Sequence, residues 1–195
     1  MKISSEAIQT LRAQTGAGMM DAKRALEEAS GDIQKAIEHL RKAGKKVALT
    51  KADRTTHEGR VGEYTHINGK VAGLVAIACE TDFVARTDEF IELAHNVAMH
   101  VVAMNPSYLD SSLVPQDIID AEKVVYREQL EREGKPEAIR EKIIDGKLRA
   151  YYREHCLVSQ PFVKDDKKSV DDIVKEHIAK LGENIRIIGF SRLSL

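Results

Sequence analysis

Apolar positions in the first forty residues fall into three short runs at three- and four-residue spacing, the period of helix faces turned toward a common core. Ile8 and Leu11 mark the first run, Ala22, Ala25, Leu26 and Ala29 the second, and Ile33, Ala36, Ile37 and Leu40 the third. Gly16-Ala17-Gly18 and Ser30-Gly31-Asp32 break them, and Asp32 is placed to cap the third helix by accepting from amides that lack a partner inside it. Residues 4–42 therefore predict a miniature three-helix bundle. From 41 to 54 the apolar pattern weakens while Arg41, Lys42, Lys45, Lys46, Lys51 and Arg54 accumulate. This stretch reads as a basic tether, either solvated or docked on an acidic surface or RNA, and sets the expected division into 1–54 and 55–195.

The period then shortens. Residues 59–67 and 70–79 flank Asn68-Gly69, a pair suited to a type I′ hairpin turn in which both central residues take positive φ. Thr87-Asp88-Glu89 opens a helix whose apolar face runs through Phe90, Leu93, Ala94, Val97 and Val101 toward Met104, and Asn105-Pro106 ends it. Two strongly charged segments joined at Gly134-Lys135-Pro136 predict an antiparallel helical hairpin over about 115–155. Its thin seam sets Ile119, Val124 and Leu130 against Ile139, Ile143 and Leu148. Ser169-Val170-Asp171-Asp172 resembles a capping box for a helix ending at Leu181-Gly182, and residues 184–193, rich in β-formers, predict a third strand. The fold class is α+β: an N-terminal bundle, then a three-stranded antiparallel sheet with helices and a helical hairpin. Helices cover one face of such a sheet, which leaves the other as a candidate interface.

Composition narrows the function. With 30 basic and 31 acidic residues in 195, the formal charge of -1 argues against a general polyanion binder, whose affinity comes from excess Lys and Arg. The two cysteines, Cys79 and Cys156, are not in metal-type spacing and point to a reducing compartment. No apolar stretch approaches the roughly 20 residues of a membrane span, and the start Met-Lys-Ile-Ser-Ser lacks a leader's apolar core, so a cytoplasmic protein is expected.

Catalytic and cofactor chemistry finds no support. A phosphate-cradling glycine loop followed by Lys and Ser or Thr is absent, so no direct nucleotide binding is expected. His57-Glu58 and the pair His95 and His100 lack the i, i+4 register of a helical zinc site. Cys79 sits beside Glu80 and Asp82, the wrong charge for an activated thiolate. No metal, cofactor or catalytic residue is assigned.

The informative segment is Glu80-Thr81-Asp82-Phe83-Val84-Ala85-Arg86, at the corner between the apolar run 71–79 and the helix that follows. Phe83 there is either an exposed wedge or a hydrophobic staple packed on the helix start. Together with Thr15-Gly16-Ala17-Gly18-Met19-Met20-Asp21-Ala22-Lys23-Arg24-Ala25-Leu26 and Gln160-Pro161-Phe162-Val163, this segment resembles the elongation factor Ts family, in the right order along essentially the whole chain. The resemblance implies a ubiquitin-associated type of fold for the bundle and a role in translation elongation: promoting GDP release from the GTPase elongation factor Tu. It further implies that Thr81, Asp82, Phe83 and Val84 disturb the partner's Mg²⁺ site, that Arg12, Met19, Met20 and His66 contact the partner, and that this short form is a homodimer. One of the two methionines could instead belong to the bundle core, and His66 could be a turn residue without a role. Two other function classes stay open: an adaptor binding a peptide or ubiquitin-like partner through the bundle, and an RNA-associated protein using the basic stretch. Neither needs the corner at Thr81–Val84.

Overall fold

Ser4 and Asp32 each begin a helix by accepting from the amide three residues on, Ala7 N at 3.1 Å and Lys35 N at 3.1 Å. The computed structural model describes residues 3–195; Met1 and Lys2, the start of the stretch read for a leader and for the bundle, lie outside the described residues. The first three helices are α1 (Ser5–Thr15), α2 (Met19–Glu28) and α3 (Ile33–Lys51), and α1 ends on Gly16 in the left-handed conformation. Leu11, Ala22, Ala25, Leu26, Ala29 and Ala36 form their buried core, with Ile8, Ile33, Ile37 and Leu40 packed around it. Small alanines let the helices approach closely.

Residues 41–51, expected to be a tether, are instead the second half of α3. All residues there except Gly44, Val47 and Thr50 are good helix formers, and Gly44 and Ala48 are buried. Two of the basic residues have partners on α8 (Val170–Leu181): Lys45 meets Asp172 at 2.7 Å, and Arg41 lies 3.8 Å from Asp172 and 3.9 Å from Glu176. Lys51 donates to the carbonyl of Gly182. Charge that looks like a solvated run in one dimension is thus complementary in three.

Strands β1 (Glu58–Thr65) and β2 (Val71–Cys79) form the expected hairpin, and β5 (Arg186–Ser194) joins β2 to complete an antiparallel sheet in the order β1-β2-β5. The hairpin turn differs from the type I′ expectation. His66 N donates to Val71 O and Gly69 N to His66 O, so the loop holds four residues, and only Gly69 takes positive φ (66°). Asn68 instead accepts from Lys70 N through its side chain. A one-turn helix α4 (Asp82–Ala85) precedes α5 (Asp88–Met104), whose Phe90, Leu93, Ala94, Val97, Ala98, Val101 and Val102 are buried, while Met104 is exposed. Gly62 of β1 lies directly on α5: a Cβ there would come within 2.4 Å of the Ala94 carbonyl.

Helices α6 (Gln116–Arg132) and α7 (Glu137–His155) form the hairpin. Its core consists of Ile119, Leu130, Ile144 and Leu148 with Tyr108, Tyr126, Ile143, Tyr151 and Tyr152 around it. Val124 and Ile139, placed in the seam by spacing alone, are exposed. The aromatic rings fill the width that aliphatic residues were expected to fill. A second, two-stranded sheet, β3 (Pro161–Phe162) with β4 (Asp165–Ser169), was not expected from the sequence. Gln160, just before it, is buried: its Nε2 donates to Glu154 O at 2.6 Å, and its Oε1 accepts from His100 Nε2 at 3.0 Å. Val163 N donates to the other imidazole nitrogen at 3.1 Å, which fixes a neutral tautomer, and burial holds His100 below the usual histidine range.

The chain resolves into two compact units, one of residues 1–60, 77–93 and 172–186 and one of 61–76, 94–171 and 187–195. No helix among the described residues is long and apolar enough to cross a membrane.

Candidate functional site

The corner after β2 is built by polar contacts that begin at the last strand residue. Cys79 is buried and donates to Thr81 O at 3.2 Å. Burial, with Glu183 nearby, pushes its thiol up to about 11, so it stays protonated and is no nucleophile. Thr81 caps α4, its hydroxyl accepting from Val84 N at 3.4 Å. That hydroxyl donates in turn to Glu183 Oε1 at 2.6 Å. Both Glu80 N and Thr81 N donate to Glu183 Oε2 at 3.0 Å.

A second layer holds the first. Glu80 accepts from Asn184 N at 2.6 Å and faces Arg54 at 3.5 Å. The buried Asn184 side chain donates to Ala52 O at 3.2 Å and Arg54 O at 2.8 Å. The end of α3, the corner and the segment between α8 and β5 are thereby tied together by hydrogen bonds, several of them charge-assisted.

What this scaffold presents is Phe83, 78% exposed on the second residue of α4. The staple reading is excluded, because a staple buries its ring. Asp82 beside it pairs with the exposed Arg86, at 2.9 Å, and a pair this open to water is worth little and exchanges readily for a better partner. Val84 is half-buried and supports the turn. An apolar ring and a loosely held carboxylate therefore stand side by side on a rigid mount.

The second candidate patch is the α1–α2 turn. Arg12 Nε donates to Ala17 O at 3.2 Å, which shapes the turn while leaving the side chain exposed. Met19 and Met20, at the start of α2, are 60% and 71% exposed. Neither is bundle core, so the alternative for one of them falls away. His66 is exposed at the β1–β2 turn, its Nδ1 3.4 Å from the Tyr64 hydroxyl. Thr81, Asp82, Phe83 and Val84 are thus brought into one site, with Arg12, Met19 and Met20 forming a separate patch of the same compact unit. His66 belongs to the other unit. Glu183 and Asn184 were missed from the sequence: they follow the helix-ending Gly182, and nothing local signals that their partners lie more than a hundred residues away.

No group of three or more His, Cys, Asp or Glu among the described residues is arranged to hold a metal ion.

The profile of the family described as Elongation factor TS matches residues 2–195. Elongation factor Ts of Thermosipho melanesiensis is 52% identical over 193 residues, covering 99% of this chain and 98% of that protein. The protein of the same name from Fervidobacterium nodosum is 49% identical over 195 residues, covering 100% and 99%. That from Thermotoga petrophila is 51% identical over 195 residues, covering 100% and 97%. Matched over essentially its whole length in this way, the chain belongs to the elongation factor Ts family.

Proposed function

We propose that this chain, as a translation elongation factor, releases GDP from elongation factor Tu by seating the Thr81–Val84 corner beside the partner's Mg²⁺ and phosphate site. The observation that carries the reading is Phe83, a large ring held almost fully in solvent on a corner that hydrogen bonds immobilise. An exposed aromatic costs a monomer solubility, and a rigid one costs a complex little ordering entropy, so its use is at an interface. Exchange is a coupling between two ligands of one GTPase: whatever factor the chain imposes on nucleotide affinity, the nucleotide imposes on the chain. Each decade requires about 1.4 kcal/mol of differential binding. Phe83 acts as the wedge, Asp82 leaves Arg86 to compete for groups around the metal, and Thr81 and Val84 hold the corner.

Residues 1–54 act as a second grip through Arg12, Met19 and Met20, with adaptable thioether side chains suited to a partner surface that changes shape. His66 contacts the partner from the hairpin turn. The chain works in the cytoplasm on the GDP-bound and nucleotide-free forms, contributes no covalent chemistry, cofactor or nucleotide site of its own, and is a two-fold dimer. The exposed strand residues Val61, Leu74 and Leu193 supply the dimer surface. An adaptor using the bundle alone leaves the corner without a purpose.

The test is release of a fluorescent GDP analogue from elongation factor Tu by substoichiometric amounts of the chain. Met20→Glu is expected to raise the concentration needed for half-maximal release while sparing the maximal rate. Absence of any acceleration by the wild-type chain overturns the reading.

A further inference from the structure

We propose that Glu183 is the positioning residue of the exchange corner: its carboxylate sets the direction in which Phe83 and Asp82 leave the protein. The proposal rests on the corner being the working surface. Glu183 reaches across from the segment between α8 and β5 and takes three donors at once, Glu80 N and Thr81 N on Oε2 at 3.0 Å each and the Thr81 hydroxyl on Oε1 at 2.6 Å. These are the last two residues before α4, so their amide planes fix the direction in which that one-turn helix starts. Four residues cannot hold a helix by their own hydrogen bonds, because nucleation is unfavourable and the first turn's amides lack internal partners. The orientation of α4 is therefore imposed from outside it.

The Thr81 hydroxyl carries the constraint forward. It donates to Glu183 and accepts from Val84 N, so one oxygen links the clamp to the turn that carries Phe83. Glu183 is itself positioned by its neighbour, since Asn184 is locked to Glu80 through its backbone and to Ala52 and Arg54 through its side chain. Glu183 never needs to touch a partner. It acts through Phe83.

This role depends on the number and placement of acceptors rather than on charge. In Glu183→Gln the amide oxygen can keep both backbone donors, and the amide nitrogen can donate to the Thr81 hydroxyl, which turns to accept. Glu183→Ala loses all three contacts.

The experiment is a double-mutant cycle on GDP release from elongation factor Tu with the full-length wild type, Phe83→Ala, Glu183→Ala, Glu183→Gln and the combination Phe83→Ala with Glu183→Ala. Glu183→Ala is expected to slow release about tenfold or more, on the scale of misplacing a positioned group, and Glu183→Gln to stay within about threefold of wild type by the acceptor count above. In the Phe83→Ala background, Glu183→Ala is expected to add almost nothing, because residues acting through one group are non-additive. Amide hydrogen exchange at Glu80 and Thr81 should speed up in Glu183→Ala and not in Glu183→Gln. If Glu183→Ala fails to fold, Glu183→Asp, one methylene too short, takes its place in the cycle. A Glu183 effect that multiplies fully with that of Phe83, or a Glu183→Gln variant as slow as Glu183→Ala, overturns the proposal while leaving the corner reading intact. Wild-type release by Phe83→Ala overturns both.

Discussion

Truncating Phe83 to alanine separates interface from fold more cleanly than any other single change. A phenylalanine side chain offers about 200 Å² for burial, and 78% of this one is exposed, so a partner can newly cover about 150 Å². At about 25 cal/mol per Å² the ceiling is about 4 kcal/mol. Alanine keeps its Cβ, and no pocket covers a ring completely, which brings the expected loss to about 2–4 kcal/mol, the range of an interface hot spot. At 1.4 kcal/mol per decade, the second-order rate constant for GDP release should fall about 30- to 700-fold. The fold has little at stake. The covered fifth of the ring is about 40 Å², about 1 kcal/mol at most, or no more than about 4 °C in the melting temperature of a chain this long. Stopped-flow release of a fluorescent GDP analogue gives the first quantity and thermal melting by circular dichroism the second. A release constant within threefold of wild type, or a melting temperature more than about 8 °C lower, refutes the reasoning.

Three other outcomes follow from the same geometry. His100 and His177 are both held below the usual histidine range by burial, so the unfolded chain takes up their protons first. Stability should be full above the unfolded pKa of about 6.5 and decline as pH falls through it; equal urea midpoints at pH 7.5 and 5.5 would contradict this. The lowered carboxylates Asp32 and Glu89 do not interfere, because their contribution is lost only below that window. Leu193→Glu places a charge on a strand residue that is 77% exposed, and should convert a sedimenting dimer to monomers with little change in melting of the monomer fold; a wild-type protein that sediments as a monomer at micromolar concentration removes the basis for it. Gly62→Ala drives a methyl into the Ala94 carbonyl and should cost about 1–3 kcal/mol, read as a lower urea midpoint at unchanged slope.

The order and type of the main elements were determined by the sequence, because each rests on local physics. Helix periodicity, the cap at Asp32, and the strand-forming run of 184–193 are decided within a few residues of themselves, and these elements occur close to where the pattern puts them. The corner motif was likewise readable, and with it the family. Tertiary structure decided whatever depends on partners far along the chain. Residues 41–51 look like a tether until Asp172 and Glu176 are set opposite their charges. Phe83 could be staple or wedge, since one residue type serves both and only the packing around α4 decides exposure. Val124 and Ile139 have seam spacing but lose the seam to Ile144 and the tyrosines, whose volume no periodicity counts. Glu183 carries no local signal at all: a glutamate after a helix-ending glycine is ordinary, and it meets the corner only because the fold brings Glu80 and Thr81 to it, where it accepts from two part-buried amides and a hydroxyl.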